Sequence, residues 1–298
     1  MIRLFAPTIV SRSGVATLFA AAGKGFVPFG TDDPMSRPPI RFPVNHHLSQ
    51  ILERAVAIAG VRAGTVTLEA ALFNGDEPVS PQSWPSLSRF GDSWASRVTL
   101  RPRDGLDLQG SYAFVNSPEN RPGAGPGDVH WSASGRWERG PAYALLEWAR
   151  TSVSDGVFIY HSVLAEAAVS RGRHRAYVRA ERTERPEEER MFDNFFRIVR
   201  PVFDNSVLGV TRWTILTIGD AFTAKRMGTV QLSSFAEASA IWIAKVGGGV
   251  FDPSTFYGGE RGFALTVGVR LSAGMRMPRM GQYSSPMESH ETMMHHGE

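Results

Sequence analysis

Histidine and methionine are the residues here whose types could hold a metal, and they gather in two places. His46 and His47 are adjacent, and the tail holds His290, His295 and His296 among Met287, Met293 and Met294, after Met275, Met277 and Met280. Neutral imidazole and thioether sulfur favour copper, which makes His46, His47, His290, His295 and His296 candidate copper ligands and copper the candidate cofactor. Against this, adjacent residues on an extended segment point opposite ways, so His46 and His47 also fit ordinary hydrogen bonding in a loop, and the tail also fits a solvated segment. Asp32 and Asp33 could supply oxygens to a hard cation, or form a solvated turn.

Nucleophilic chemistry finds little material. His161 is followed directly by Ser162, and neighbours in a strand face opposite sides, which makes a poor dyad. There is no Gly-x-Ser-x-Gly elbow, phosphate-cradling Gly-Lys-Ser/Thr loop or His-Glu-x-x-His. No cysteine is present, so disulfides, thiolate metal sites and cysteine nucleophiles are excluded together. The sequence therefore reads as a non-enzyme. The net charge of +3 is small and its arginines are interspersed with acids, so no basic stripe suggests nucleic acid.

The remaining charged chemistry sits at alternate positions of apolar segments. Arg97, Arg101, Arg136, Glu147, Glu166, Arg175, Arg179 and Glu181 each occupy the polar side of a stretch whose other side is apolar, and so do Glu69, His130, Arg212, Glu237 and Arg270. Residues two apart in a strand share a face, so these segments have one greasy and one wet side. In the last of them Phe263, Leu265, Val267, Val269 and Leu271 alternate with Ala264, Thr266, Gly268, Arg270 and Ser272.

Twelve such segments can be counted, at 16–23, 52–61, 65–73, 93–102, 106–116, 129–138, 142–151, 157–170, 174–184, 207–217, 229–243 and 262–272. Tight hairpin signals such as Asp104-Gly105 alternate with long, turn-rich gaps at 24–51, 74–92, 117–128, 185–204 and 245–260. Soluble domains seldom carry several structureless loops of that length, whereas outer-membrane barrels have short periplasmic turns and long extracellular loops. No run reaches the eighteen or so apolar residues of a membrane helix. The expected fold is all-β, an antiparallel transmembrane β-barrel of about twelve strands occupying 1–283, with a flexible Met/His-rich tail at 284–298.

Several loop segments have the character of signatures: Phe29, Pro34-Met35-Ser36-Arg37, Asn45-His46-His47-Leu48-Ser49-Gln50 and Phe73-Asn74-Gly75-Asp76-Glu77-Pro78. Together they resemble an uncharacterised, porin-like group of bacterial outer-membrane barrels, over roughly 14–116 by motif and elsewhere by strand rhythm alone. The resemblance implies a bacterial outer-membrane location and no established activity. Members of that group carry sequence ahead of this point, and residues 1–25 make a poor export signal because Pro7 and Ser11-Arg12-Ser13 interrupt them. An N-terminally truncated member is therefore expected. The expected partners are the lipid bilayer and lipopolysaccharide, the barrel-assembly machinery and small hydrophilic solutes.

Two readings of the charged interior follow. It could line a water-filled path for small solutes, as in a porin. It could equally be an Arg–Glu network that fills the barrel and satisfies itself, giving a structural role in the envelope. A metal-associated envelope protein using the His/Met residues is the alternative from another class.

Overall fold

A computed structural model describes residues 9–12, 16–31, 37, 43–76, 78, 83–116, 125–188, 207–228, 230–273 and 283. The strands are β1 (Ile9–Arg12), β2 (Thr17–Gly25), β3 (Arg54–Ala63), β4 (Val66–Phe73), β5 (Ser93–Arg103), β6 (Leu106–Val115) and β7 (Asp128–Arg139). They continue with β8 (Ala142–Val153), β9 (Phe158–Arg171), β10 (His174–Glu188), β11 (Val207–Met227), β12 (Val230–Gly249) and β13 (Arg261–Ala273). Each pairs antiparallel with the next, so one sheet runs β1 to β13 in chain order. The twelve expected strands are β2–β13, and the four-residue β1 is additional. Two short helices, α1 (His46–Ser49) and α2 (Pro253–Tyr257), lie in connections.

The connections alternate in length. Five two-residue turns, at 64–65, 104–105, 140–141, 172–173 and 228–229, share one end of the sheet. Each has a glycine with φ between +54° and +75°, a left-handed conformation that glycine adopts without steric cost and that tight hairpins need. The opposite end carries the connections 26–53, 74–92, 116–127, 154–157 and 250–260, while 189–206 lies outside the described residues. β11 is longer than its apolar pattern predicts. The alternation fades at Asp220 and Lys225, yet the ladder with β12 continues to Met227↔Val230, because backbone pairing needs no apolar face.

The faces are inverted relative to a soluble protein. On the outer face Leu68, Leu72, Trp94, Val98, Leu108, Trp131, Leu146, Val163, Val169, Leu216 and Ile218 are exposed, and Phe263, Leu265, Val267, Val269 and Leu271 expose between 67% and 72%. On the inner face Glu69, Arg97, Glu147, Glu166, Arg179, Glu181 and Glu237 are buried, with Thr67, Thr99, Ser132, Ser162, Thr183, Thr217 and Ser239.

The sheet is wrapped around the 26–53 connection. Val27, Phe29 and Ile51 cluster with Val56, Phe73, Ala95 and Ala113 of β3–β6, while Leu48 of α1 clusters with Ala149 and Tyr160 of β8 and β9. Beyond β13 the chain returns to the start of the sheet, where the Tyr283 hydroxyl donates to the Phe26 carbonyl just past β2.

Candidate functional site

The middle of the interior is a belt of ion pairs. β4 and β5 place Glu69 opposite Arg97, whose Nη2 and Nε lie 2.7 Å from Glu69 Oε2. β8, β9 and β10 bring in Glu147, Glu166, Arg179 and Glu181 at alternate positions, as their pleat requires. Arg179 Nη2 donates to Glu166 Oε2 at 3.2 Å.

Among these six strand residues, four carboxylates face two guanidiniums, and a third cation comes from a loop. Arg37 Nη1 donates to Glu166 Oε1 and its Nη2 to Glu147 Oε2, both at 3.0 Å. All three side chains have 0% exposure. Asn45 Nδ2 donates to Glu147 Oε1 at 2.9 Å, and the Val44 backbone N–H donates to Glu181 Oε2 at 2.9 Å. A buried carboxylate is tolerable only when charge and hydrogen bonds replace its lost water, and this segment supplies both. Higher up, the Gly30 N–H donates to Ser111 Oγ at 3.0 Å while the Gly30 carbonyl accepts from Arg97 Nη1 at 3.4 Å, so the same connection touches the belt again on the far wall.

Towards the short turns the belt gives way to an apolar layer of Tyr143, Leu145, Leu164, Ala168 and Tyr177. Past it lies a wetter ring. Arg101 Nε donates to Asp107 Oδ1 at 3.2 Å, Arg136 pairs with Glu138, and Arg175 is half-buried.

All eight predicted interior residues thus lie on the inner face. Arg97, Glu147, Glu166, Arg179 and Glu181 are buried in or beside the belt, and Arg101, Arg136 and Arg175 are half-buried near the turns. Arg212 is a correction, because it faces outward. Its register partner is Glu184, whose Oε1 is 2.6 Å from Arg212 Nη2, and the inward positions of β11 are Thr211, Trp213, Ile215 and Thr217.

Arg37 and Asn45 were expected only as parts of signatures, with no interior role. Arginines and glutamates nearly balance among the inward residues read from the sequence, so no charge excess signals the loop cation.

The metal candidates fare differently. His46 Nδ1 donates to the Pro43 carbonyl at 3.0 Å, a hydrogen bond inside its own loop. The side chain of His47, together with His290, His295, His296, Asp32 and Asp33, lies outside the described residues. No group of three His, Cys, Asp or Glu suited to a metal occurs among the described residues. His161 is exposed on the outer face and Ser162 is buried on the inner one, where its Oγ is 3.0 Å from Thr183 Oγ1.

Two clusters order the long-loop end. Arg89 bridges Asp76 at 3.1 Å and Asp92 at 2.6 Å, and Asn74 Nδ2 donates to the Ser86 carbonyl at 2.8 Å, so the Asn74-Gly75-Asp76 signature is a clasp. Glu187, 0% exposed, accepts from Tyr257 Oη at 2.9 Å, Trp213 Nε1 at 3.4 Å and Thr211 Oγ1, which pins α2 to the rim. Burial, with the Glu187 carboxylate beside it, pushes the Tyr257 hydroxyl pKa up. Asp252 caps α2 by accepting from Ser254 Oγ, Thr255 N and Thr255 Oγ1, and these bonds hold its carboxyl pKa below the usual range.

No protein-family model matches the chain, and no curated protein matches it either.

Proposed function

We propose that this chain is an outer-membrane β-barrel of porin-like architecture, held closed by its own 26–53 connection. The membrane part of the reading rests on the inverted faces. An outer wall of Leu, Val, Ile, Phe and Trp in water would far exceed the apolar patch a soluble monomer carries. The stretch from Leu106 to Phe114 runs about 27 Å along its strand, or ~20 Å of height at a 40° tilt, close to the ≈25 Å apolar band of such barrels. The alternation of two-residue turns with long connections supports placing the turns in the periplasm and the 26–53 connection on the extracellular side.

The closed state rests on Arg37, a loop cation with no exposure held between two strand carboxylates. A passing ion would have to displace it from both. Single-channel recording of the refolded chain in a planar bilayer tests this: a folded, heat-modifiable protein that stays almost silent is expected, and a steady large conductance would overturn the closed reading. The second reading, passage of small hydrophilic solutes, is favoured by the inner faces of β11–β13 near the turns. There Gly219, Ala221, Thr223, Gln231, Thr266 and Arg270 are only half-buried, and a path that opens would run along this wall.

A further inference from the structure

We propose that the outer wall over β8–β11 is a docking site for the phosphate of an anionic lipid headgroup. The inference deepens the membrane-spanning reading above and rests on it. The strand registers align one outward row across seven strands: Ser96, Tyr112, Trp131, Arg150 and His161 on β5–β9, then Glu184 and Arg212 on β10 and β11. The row changes character midway. Over β5–β7 it is aromatic, with Tyr112 and Trp131 at 4.6 Å and Trp94 5.0 Å from Tyr112, the amphipathic rings expected where membrane meets water. Over β8–β11 it is cationic, and Arg182 adds a further guanidinium one step nearer the band, between Val163 and Thr214.

The apolar band begins directly beneath, with Leu146, Ala165, Ala180 and Leu216. The cations therefore border the band on the side of the long connections; a register row runs at right angles to the strands, so at a 40° tilt it climbs by about 9 Å across β8–β11. They spread over about 15 Å of wall, three strand spacings. Glu184 is the one carboxylate the registers place among them, and it is occupied by Arg212 and by the His161 backbone N–H at 3.0 Å. Arg150 and Arg182 have no ion pair among the described residues. Two uncompensated guanidiniums facing a headgroup layer fit a phosphate, which guanidinium recognises with paired hydrogen bonds.

The test is quenching of tryptophan fluorescence by brominated lipids. The full chain is refolded into phosphatidylcholine vesicles, and brominated phosphatidylcholine or brominated phosphatidic acid is titrated in. Trp131 and Trp148 on the outer wall report directly beside the site. A preference for phosphatidic acid is expected, cut about fivefold or more in Arg150→Gln/Arg182→Gln, the scale on which basic side chains attract an anionic surface. It should survive in Arg150→Lys/Arg182→Lys and in the presence of inorganic phosphate. Equal quenching by both lipids in the unaltered protein, or a preference unchanged in the glutamine variant, overturns the site. Loss of the preference to inorganic phosphate assigns it to a free anion instead and overturns the lipid assignment. Quenching by neither lipid would overturn the membrane-spanning reading itself, which keeps the two failures apart.

Discussion

Replacing Arg37 by alanine removes the loop side chain that joins Glu147 of β8 to Glu166 of the neighbouring β9. The two carboxylates do not suffer equally. Among the described residues, Glu166 keeps Arg179 at 3.2 Å, whereas Glu147 keeps the neutral Asn45 amide at 2.9 Å. Breaking a buried ion pair from one side costs about 3–5 kcal/mol, because the surviving charge is left without water or partner. That cost falls on the closed arrangement alone, since withdrawal of the 26–53 connection would let water reach Glu147. At about 1.4 kcal/mol per tenfold, the ratio of closed to open states should drop by roughly two to more than three powers of ten. Open probability in planar-bilayer recording is the measurement, with heat-modifiable mobility as the check on folding. Arg37→Met combined with Glu147→Gln should restore closure, since it removes one buried charge of each sign and leaves the Glu166–Arg179 pair in place. A folded Arg37→Ala protein as silent as the parent, or a double variant as open as Arg37→Ala, would refute the latch.

Three further outcomes are expected. Gly219→Ala should lower the urea midpoint, because its Cβ would lie 2.5 Å from Tyr177 Cζ on the neighbouring strand and overpacking costs about 1–3 kcal/mol; Gly110→Ala, which meets nothing within 4 Å, should leave it unchanged. Leu216→Arg, on the outer wall, should destabilise the bilayer-refolded protein by about 2–4 kcal/mol, and a neutral result would count against burial of that wall in lipid. The Asp252 cap should be pH-dependent in a definite direction. Its folded pKa lies below the unfolded value of 3.8, so its contribution is present above that value and is lost as the pH falls through the folded pKa; an NMR titration of its carboxyl with a midpoint at or above 3.8 would contradict the capping geometry.

Much of the fold was legible because strand pairing and facing are local. Glu147, Leu145 and Tyr143 must share a face whatever β8 packs against, and Asp104-Gly105 must turn. Where the local signal weakens, the expectation falls short: alternation over 207–217 stops short of the ladder, which runs on past Asp220 and Lys225 to Met227, and it places Arg212 on the wrong face. An outward arginine at the end of an apolar band carries the same letter as an inward one. Only the register to Glu184 distinguishes them.

By itself the sequence determined which side chains share a wall and where the tight turns lie, since these depend on a period of two and on glycine at a few turns. It did not determine what occupies the interior. That depends on Arg37 meeting Glu147 and Glu166, residues 110 and 129 positions further along the chain, and on Val44 and Asn45 completing their hydrogen bonds. No periodicity links a loop arginine to carboxylates on strands β8 and β9. Only when the sheet curls do these groups share one dry space, where the penalty for an unpaired buried charge selects the partner.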